Sequence, residues 1–431
     1  GATANASGSS GGIRSEARGR GIENAARGHT RPVKRYDTIV VGAGPAGSTT
    51  AYRLAREGAS VLLLDRAVFP RDKPCGGGVT MRAAKQLPFS IDPVVEHVVT
   101  TAELRLGHRR TVDRGRGGVL AYMTQRRRLD HLLAETAAAA GAEFRDGVKV
   151  TAVETDPAGA KVTVAGERVR ADAVVGADGV NGATARALRL GGNRTVGVAL
   201  EGNLGNEKLP PHRFRGRFLI DLGTIPGGYG WIFPKGDHVN VGVGGWESEG
   251  PQLREHLATL CEAHGIRVGD LEALRGFRLP CRAHDSTLAR GRGLVVGDAA
   301  GLVDPLTGDG MFEAFLSGRF AAEAVVKLLS GEEETLEPYG TRVTRHLAPL
   351  LWASWSLKAA LDRFPRTTYA ITKSRLVWPV VEKLVTGDLV DVRRAAGIAR
   401  PPLKALALLA RVAGDPGRAY RPTAAPAVRA D

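Results

Sequence analysis

Gly42-Ala43-Gly44-Pro45-Ala46-Gly47 sets three glycines at the spacing G-x-G-x-x-G, between an apolar β-branched run and an alanine-rich stretch. A bound pyrophosphate asks for that pattern. The first glycine permits a tight turn, the second lets main chain approach the phosphates, and the third lets helix and strand pack closely. The helix that follows offers unpaired N–H groups to the same anion. Asp65 closes the next apolar run, where a carboxylate accepts ribose hydroxyls, and Arg66 follows it. A glycine turn by itself can be purely structural. With strand, turn, helix and acid in register, the expectation is dinucleotide binding through Gly42, Gly44, Pro45, Ala46, Gly47, Asp65 and Arg66. The triplet does not separate FAD from NAD.

Two other clusters carry chemistry. Lys73-Pro74-Cys75-Gly76-Gly77-Gly78 joins one thiol to three residues without side chains, so backbone there can run close under a flat ring. Cys75, Gly76 and Gly77 are expected on the cofactor side and Gly78 on the substrate side. Cys75 would tune or gate the reaction without being an obligatory nucleophile; the alternative is a small buried thiol that needs no function. Tyr229-Gly230-Trp231-Ile232-Phe233-Pro234 alternates its aromatics, so on a strand Tyr229, Trp231 and Phe233 share one side. They form either part of a core or the wall of an apolar pocket, and Pro234 is grouped with them as substrate-binding.

Residues 291–325, GRGLVVGDAAGLVDPLTGDGMFEAFLSGRFAAEAV, combine a buried-strand run, an Asp, a Pro-containing turn and Gly-Asp-Gly before a long helical stretch. This segment resembles the second flavin motif of the aromatic hydroxylase and geranylgeranyl reductase superfamily. The resemblance implies FAD as cofactor, Asp298 on the ribityl chain, and Pro305, Gly308, Asp309, Gly310 and Met311 at the ring. A helix beginning near Gly310 would aim its positive end at the flavin N1 and C2 carbonyl, where negative charge collects on reduction. Val175-Gly-Ala-Asp178-Gly-Val-Asn181 resembles the superfamily's central Asp-Gly motif, with Gly182 at its usual Ser and Arg186 one place late. Arg126-Arg-Arg-Leu-Asp130 has the spacing at which such proteins place a pyrophosphate-contacting Arg, which selects Arg126 over Arg127 and Arg128; the alternative is an exposed basic helix start. Val150 completes the expected cofactor set. The aromatic segment, followed by Gly242-Val243-Gly244, is similar to the substrate-domain signature of geranylgeranyl reductases. The resemblance runs from about Tyr36 to Leu329.

These residues need elements to hold them. Residues 36–65 read as strand, turn, helix and strand, one βαβ unit. Helix signals recur at Gln125–Gly141, followed by β-like runs at Val148–Glu154, Lys161–Val164 and Ala173–Gly179. Residues 191–285 alternate with many glycines, which predicts an antiparallel sheet, and the chain after Gly331 looks helical with breaks at Pro365, Pro379 and Pro401. The fold class expected is α/β: a Rossmann-like FAD-binding domain made of 36–90, 118–190 and 285–330, an antiparallel substrate domain from 91–117 and 191–284, and a helical region 331–431 with a basic tail.

Composition bounds the rest. A chain of 431 residues with 43% hydrophobic content supports a large core. Cys75, Cys261 and Cys281 are too few for a disulfide scaffold and fit no zinc template, so no metal is expected and a reducing cytosol is the default. No apolar run approaches the ~20 residues that cross a bilayer. The formal charge of +15 collects at the ends: residues 1–35 hold seven Lys or Arg against Glu16 and Glu23, and 393–431 hold eight against Asp415 and Asp431. Without a nucleic-acid-binding signature between them, these read as solvated tails, with contact at an anionic membrane surface as the alternative. The first 35 residues are Gly, Ala, Ser and Arg-rich and read as a disordered extension, with a transit-peptide flavour but no amphipathic stripe.

The reaction implied by the resemblance is hydride delivery from reduced flavin to isolated C=C bonds of a polyprenyl substrate, with NADPH or ferredoxin as external electron donor. The same fold also serves monooxygenases acting on aromatic or polyketide substrates. Halogenases come third, because Tyr229 and Phe233 replace two members of their Trp-x-Trp-x-Ile-Pro pattern. A non-catalytic adaptor would leave the dinucleotide apparatus without a use.

Overall fold

The computed structural model describes residues 34–414 except 116, 193, 283–285, 390 and 396. The expected disordered extension therefore lies outside the described residues but for its last two positions, as does the end of the basic tail. The first strand, Arg35–Val41, starts one residue before the expected Tyr36.

That strand runs parallel to Val61–Leu64 on one side and to Glu167–Gly176 on the other. The sheet continues outward to Glu143–Arg145 at one edge and through Gly293–Val295 to Ala289–Arg290 at the other. Ile39, Val40, Leu62, Leu63, Val174, Val175 and Leu294 are fully buried, as central parallel strands covered on both faces must be. Helices Pro45–Arg56 and Met311–Ser330 pack on each other beside this sheet. The chain reverses direction of travel through the sheet at Arg35–Val41, which opens a crevice at the carboxyl ends of the strands. Gly42, Asp65 and Ala177 leave those ends.

A second sheet has seven strands in the order Glu272–Arg282, Arg194–Gly205, His238–Trp246, Tyr229–Lys235, Arg217–Leu222, Thr101–Leu106, Arg110–Arg114. Antiparallel pairing holds at every neighbour except Arg217–Leu222 with Thr101–Leu106, which pair parallel. The expectation of an antiparallel sheet from 191 to 285 missed this seam because its partner strand arrives from more than a hundred residues upstream. Ile232, Val241 and Val243 bury one face of the sheet against Leu253, Leu257 and Leu260 of helix Leu253–Ala263. A small sheet of Gly78–Thr80, Ala121–Thr124 and Val95–Val99 links the two large ones.

The C-terminal region is helical and is interrupted where expected, with three of its prolines each opening a new helix. Pro365, Pro379 and Pro401 stand in the first turns of Pro365–Thr372, Trp378–Thr386 and Arg400–Val412. A missing N–H costs nothing in the first turn, where no intrahelical acceptor exists. Among the described residues no helix is long and apolar enough to cross a membrane.

Candidate functional site

The glycine loop divides its labour as its spacing predicts. Gly42 turns at φ +109°, a conformation L side chains avoid, and a Cβ there would collide with the Ala177 carbonyl. At Gly47 a Cβ would strike the Gly42 carbonyl. Gly44 differs: the nearest group to a Cβ is Arg71 Nη2 at 3.8 Å, so open space lies over it. Gly44 caps helix Pro45–Arg56 with extended backbone and no side-chain hydrogen bond, leaving first-turn N–H groups to face that space. The opening, the bare helix terminus and a nearby guanidinium fit a pyrophosphate.

Asp65 Oδ2 accepts from Ala43 N–H at 2.8 Å, and Oδ1 accepts from Ala67 N–H at 2.9 Å. The carboxylate thus ties the glycine turn to the end of its own strand, and each oxygen keeps a lone pair for a ribose hydroxyl. Arg66 is exposed beside it. Arg126 is 5% exposed and forms a bidentate pair with Asp130, both bonds 2.7 Å, with the Cys75 thiol also in reach. Burial opposes its charge, but Asp130 and Cys75 outweigh that cost and push its pKa up. The same Asp130 receives Arg71 Nη1 at 2.9 Å. Arg71 Nη2 also stands 3.9 Å from Asp65 Oδ2, so this guanidinium is held between two carboxylates at the border of Gly44. Sequence reading missed Arg71, since an Arg in a loop without fixed spacing carries no signal.

The second segment forms the opposite wall. Asp304 Oδ1 accepts from the N–H of Leu306 at 3.0 Å and of Thr307 at 2.8 Å, shaping the turn that contains buried Pro305. Gly308 takes φ +65°, and Asp309 Oδ1 accepts from Met311 N–H at 2.8 Å at the start of helix Met311–Ser330. Gly310 caps that helix, and a Cβ on it would lie 3.4 Å from Asp298 Oδ1, so the Asp298 carboxylate stands against the helix terminus. Lys73 reaches Asp298 Oδ2 at 3.2 Å. Asp178 turns inward: Oδ2 accepts from both the N–H and the hydroxyl of Thr184 at 2.9 Å. Any side chain at position 182 would collide with this carboxyl, which accounts for Gly182 where the resembled motif has Ser. Val150 is half-buried, packed on the main core.

The aromatics share one face of the second sheet, as expected. Tyr229 lies opposite Gly244, Trp231 opposite Gly242 and Phe233 opposite Asn240. Ring centroids are 5.9 Å apart for Tyr229 and Trp231 and 6.2 Å for Trp231 and Phe233. Tyr229 donates its hydroxyl hydrogen to the Thr307 carbonyl, joining this face to the turn before Gly308. Burial raises the Tyr229 pKa and keeps the phenol a donor. Trp231 Nε1 donates to Asn240 Oδ1 at 2.8 Å.

The cysteine–glycine loop lies on that face. A Cβ at Gly76 would come within 2.7 Å of Phe233 Cδ2, so main chain passes directly over the ring. Gly78 continues beside Met123. Every polar group of Cys75 is held: its N–H donates to Glu201 Oε1 at 2.7 Å, its carbonyl accepts from Lys235 Nζ at 2.5 Å, and Sγ accepts from Gly77 N–H at 3.4 Å. Glu201, Lys235 and Asn240 were not foreseen; the alternation rule marks their face only once the strands are paired. Pro234 is a correction. Strand alternation turns it with Ile232 toward helix Leu253–Ala263, away from Phe233 and Lys235, so it does not line this face. Cys75, Cys261 and Cys281 are all free thiols, and burial raises Cys261 to about 11 and Cys281 to about 12.

Comparison with known proteins follows the same outline. The family described as FAD binding domain matches residues 35–349. A menaquinone reductase of Mycolicibacterium smegmatis is 31% identical over 401 residues, 85% of this chain and 95% of that protein. A geranylgeranyl diphosphate reductase of Rhodobacter capsulatus is 32% identical over 318 residues, 70% of this chain and 78% of that protein. A solved structure from Thermoplasma acidophilum, described as geranylgeranyl bacteriochlorophyll reductase-like, superposes with a TM-score of 0.69 at 23% identity, covering 90% of this chain and 98% of the other.

Proposed function

Since the chain belongs to the geranylgeranyl reductase family of FAD-dependent oxidoreductases, we propose that its substrate is a polyprenyl chain whose C=C bonds it saturates. The observation that carries this reading is the apolar face of Tyr229, Trp231 and Phe233 packed beneath the Cys75–Gly78 loop at the carboxyl edge of the parallel sheet. A prenyl tail offers no polar handle, so it needs an aromatic wall of this kind. The relative with 95% of its length aligned is named a menaquinone reductase, which supports a tail borne on a quinone as the first substrate to try.

Bound FAD, once reduced, supplies a hydride to carbon. The chain's part is placement. On this reading Gly42–Gly47, Arg71 and Arg126 hold the pyrophosphate, Asp65 the ribose and Asp298 the ribityl chain, while helix Met311–Ser330 directs its N-terminus at the ring. Cys75 stays as a tuning or gating residue. An external donor, NADPH or ferredoxin, visits transiently, because the sequence has a single dinucleotide loop.

A lipid substrate also requires access to lipid. Ile398, Leu408 and Val412 are 73%, 60% and 67% exposed, and Arg400, Lys404 and Arg411 are exposed with them on or just before helix Arg400–Val412. A stripe of this composition suits the headgroup boundary of an anionic bilayer, and we assign it that contact. Flotation with phosphatidylglycerol vesicles should carry the wild type upward and leave Leu408→Asp behind; equal flotation of both removes the assignment.

The reading of the substrate is tested by reducing the FAD-loaded enzyme with dithionite under anaerobic conditions and mixing it with polyprenyl quinones, alcohols and diphosphates. A mass gain of two per double bond is expected, and reduced flavin left unoxidised by the whole panel would refute it.

A further inference from the structure

Glu201 is a buried acid that the reading above leaves without a task. It is 5% exposed, on strand Arg194–Gly205. Pairing sets Glu201 opposite Gly242, and Gly242 opposite Trp231, so the three form one row across the sheet with their side-chain directions on the same face. Gly242 contributes nothing to that row, and the Trp231 ring lies in the place its Cβ would take. The Glu201 carboxyl is therefore the next side chain along from Trp231, on the side where the Cys75 loop crosses. One oxygen, Oε1, accepts the Cys75 N–H at 2.7 Å; the other, Oε2, is buried with no hydrogen-bond partner.

We propose that Glu201 is the proton donor of the reduction, a catalytic role that rests on the C=C reductase reading. The π bond of the substrate breaks, and its two carbons each gain a hydrogen. Hydride from the reduced flavin goes to one carbon, the proton on Glu201 Oε2 goes to the other, FADH⁻ becomes FAD, and Glu201 is left as a carboxylate that solvent reprotonates.

Other candidates on this face are engaged. The Tyr229 hydroxyl hydrogen is given to the Thr307 carbonyl, and Asn240 and Trp231 are bonded to each other. Burial pushes the Glu201 carboxyl above the ordinary range and so favours the acid form; Lys235 on the aromatic strand, one strand beyond His238–Trp246, the Cys75 N–H and the Asn240 side chain pull against this, while Asp72 in the loop adds to it. Arg275, its neighbour on the other side in register, pairs with Asp72 at 3.0 Å. Arg126 stands behind Cys75, with its charge already matched by Asp130.

Glu201→Gln separates proton donation from support. Gln keeps a carbonyl oxygen for the Cys75 N–H and nearly the same volume, and lacks only the acid. The expected variant binds FAD and is reduced by dithionite as wild type is, yet its reduced flavin is reoxidised by a polyprenyl substrate roughly 100-fold or more slowly, the scale of a lost general acid. Glu201→Asp should recover part of that rate. The infrared difference spectrum of wild type minus Glu201→Gln, taken before substrate is added, should show a protonated-carboxyl band at neutral pH, distinct from the contribution of buried Glu313, which both proteins share. Wild-type reoxidation in Glu201→Gln, or loss of FAD binding by it, would overturn the role while leaving the substrate reading intact. No reoxidation of the wild type by any polyprenyl would overturn the substrate reading, and the role with it.

Discussion

Arg71 and Asp130 meet at 2.9 Å, although one lies in the loop after the second parallel strand and the other on a helix fifty-nine residues later. Asp130 is completely buried and already holds Arg126 through two bonds, and Arg71 Nη2 also lies 3.9 Å from Asp65 Oδ2, so two carboxylates fix the Arg71 guanidinium in place. Fixed there, its Nη2 borders the open space over Gly44. Arg71→Ala should therefore weaken FAD binding by about 1.5–3 kcal/mol, the scale of a hydrogen bond to a charged group. Titration of apoprotein with FAD checks this; unaltered affinity would remove Arg71 from the phosphate site.

The glycines of the loop should fail in different ways. Gly44→Val adds atoms to open space, so the apoprotein should fold and melt as wild type does while losing FAD. Gly47→Val adds them against the Gly42 carbonyl, so the fold itself should suffer. Circular dichroism melts of the two apoproteins, set beside bound flavin per chain, distinguish these outcomes; a destabilised Gly44→Val apoprotein would contradict the open cradle.

Gly76 and Phe233 should be coupled. Gly76→Ala is expected to disturb the cysteine loop because its methyl group would sit 2.7 Å from Phe233 Cδ2. Removing the ring in Gly76→Ala/Phe233→Ala returns the space, so a double-mutant cycle on FAD affinity should show a favourable coupling of about 0.5–3 kcal/mol. Strict additivity would mean the loop does not rest on that ring.

Glu313 should make stability fall with pH. It is 3% exposed in the first turn of helix Met311–Ser330, and burial pushes its pKa well above the carboxylate range despite Arg82 at 3.9 Å. A folded pKa above the unfolded one means that the unfolded state releases its proton first as pH rises. The stabilisation is whole below the unfolded value of about 4.3 and drains away above it. Glu313→Gln has no such loss, so its melting temperature relative to wild type should climb between pH 4 and pH 8. A constant difference across that range would show Glu313 to be ionised in the native protein.

Local sequence was enough for the parallel core and the glycine turn. Those features depend largely on neighbours within one βαβ unit, where Gly47 acts on Gly42 and Asp65 on Ala43, although Gly42 also has to fit against Ala177 from a distant strand. The alternation of Tyr229, Trp231 and Phe233 was likewise readable from a period of two. Pro234 was misassigned by ignoring that same period. Tertiary structure alone decided what the aromatic face looks at. Glu201 joins Trp231 only through two strand pairings, Arg71 finds Asp130 only when a loop folds back on a helix, and Gly76 meets Phe233 across more than a hundred and fifty residues. Contacts of that kind follow from register and layer packing, which the whole chain settles together, and no spacing rule along the sequence encodes them.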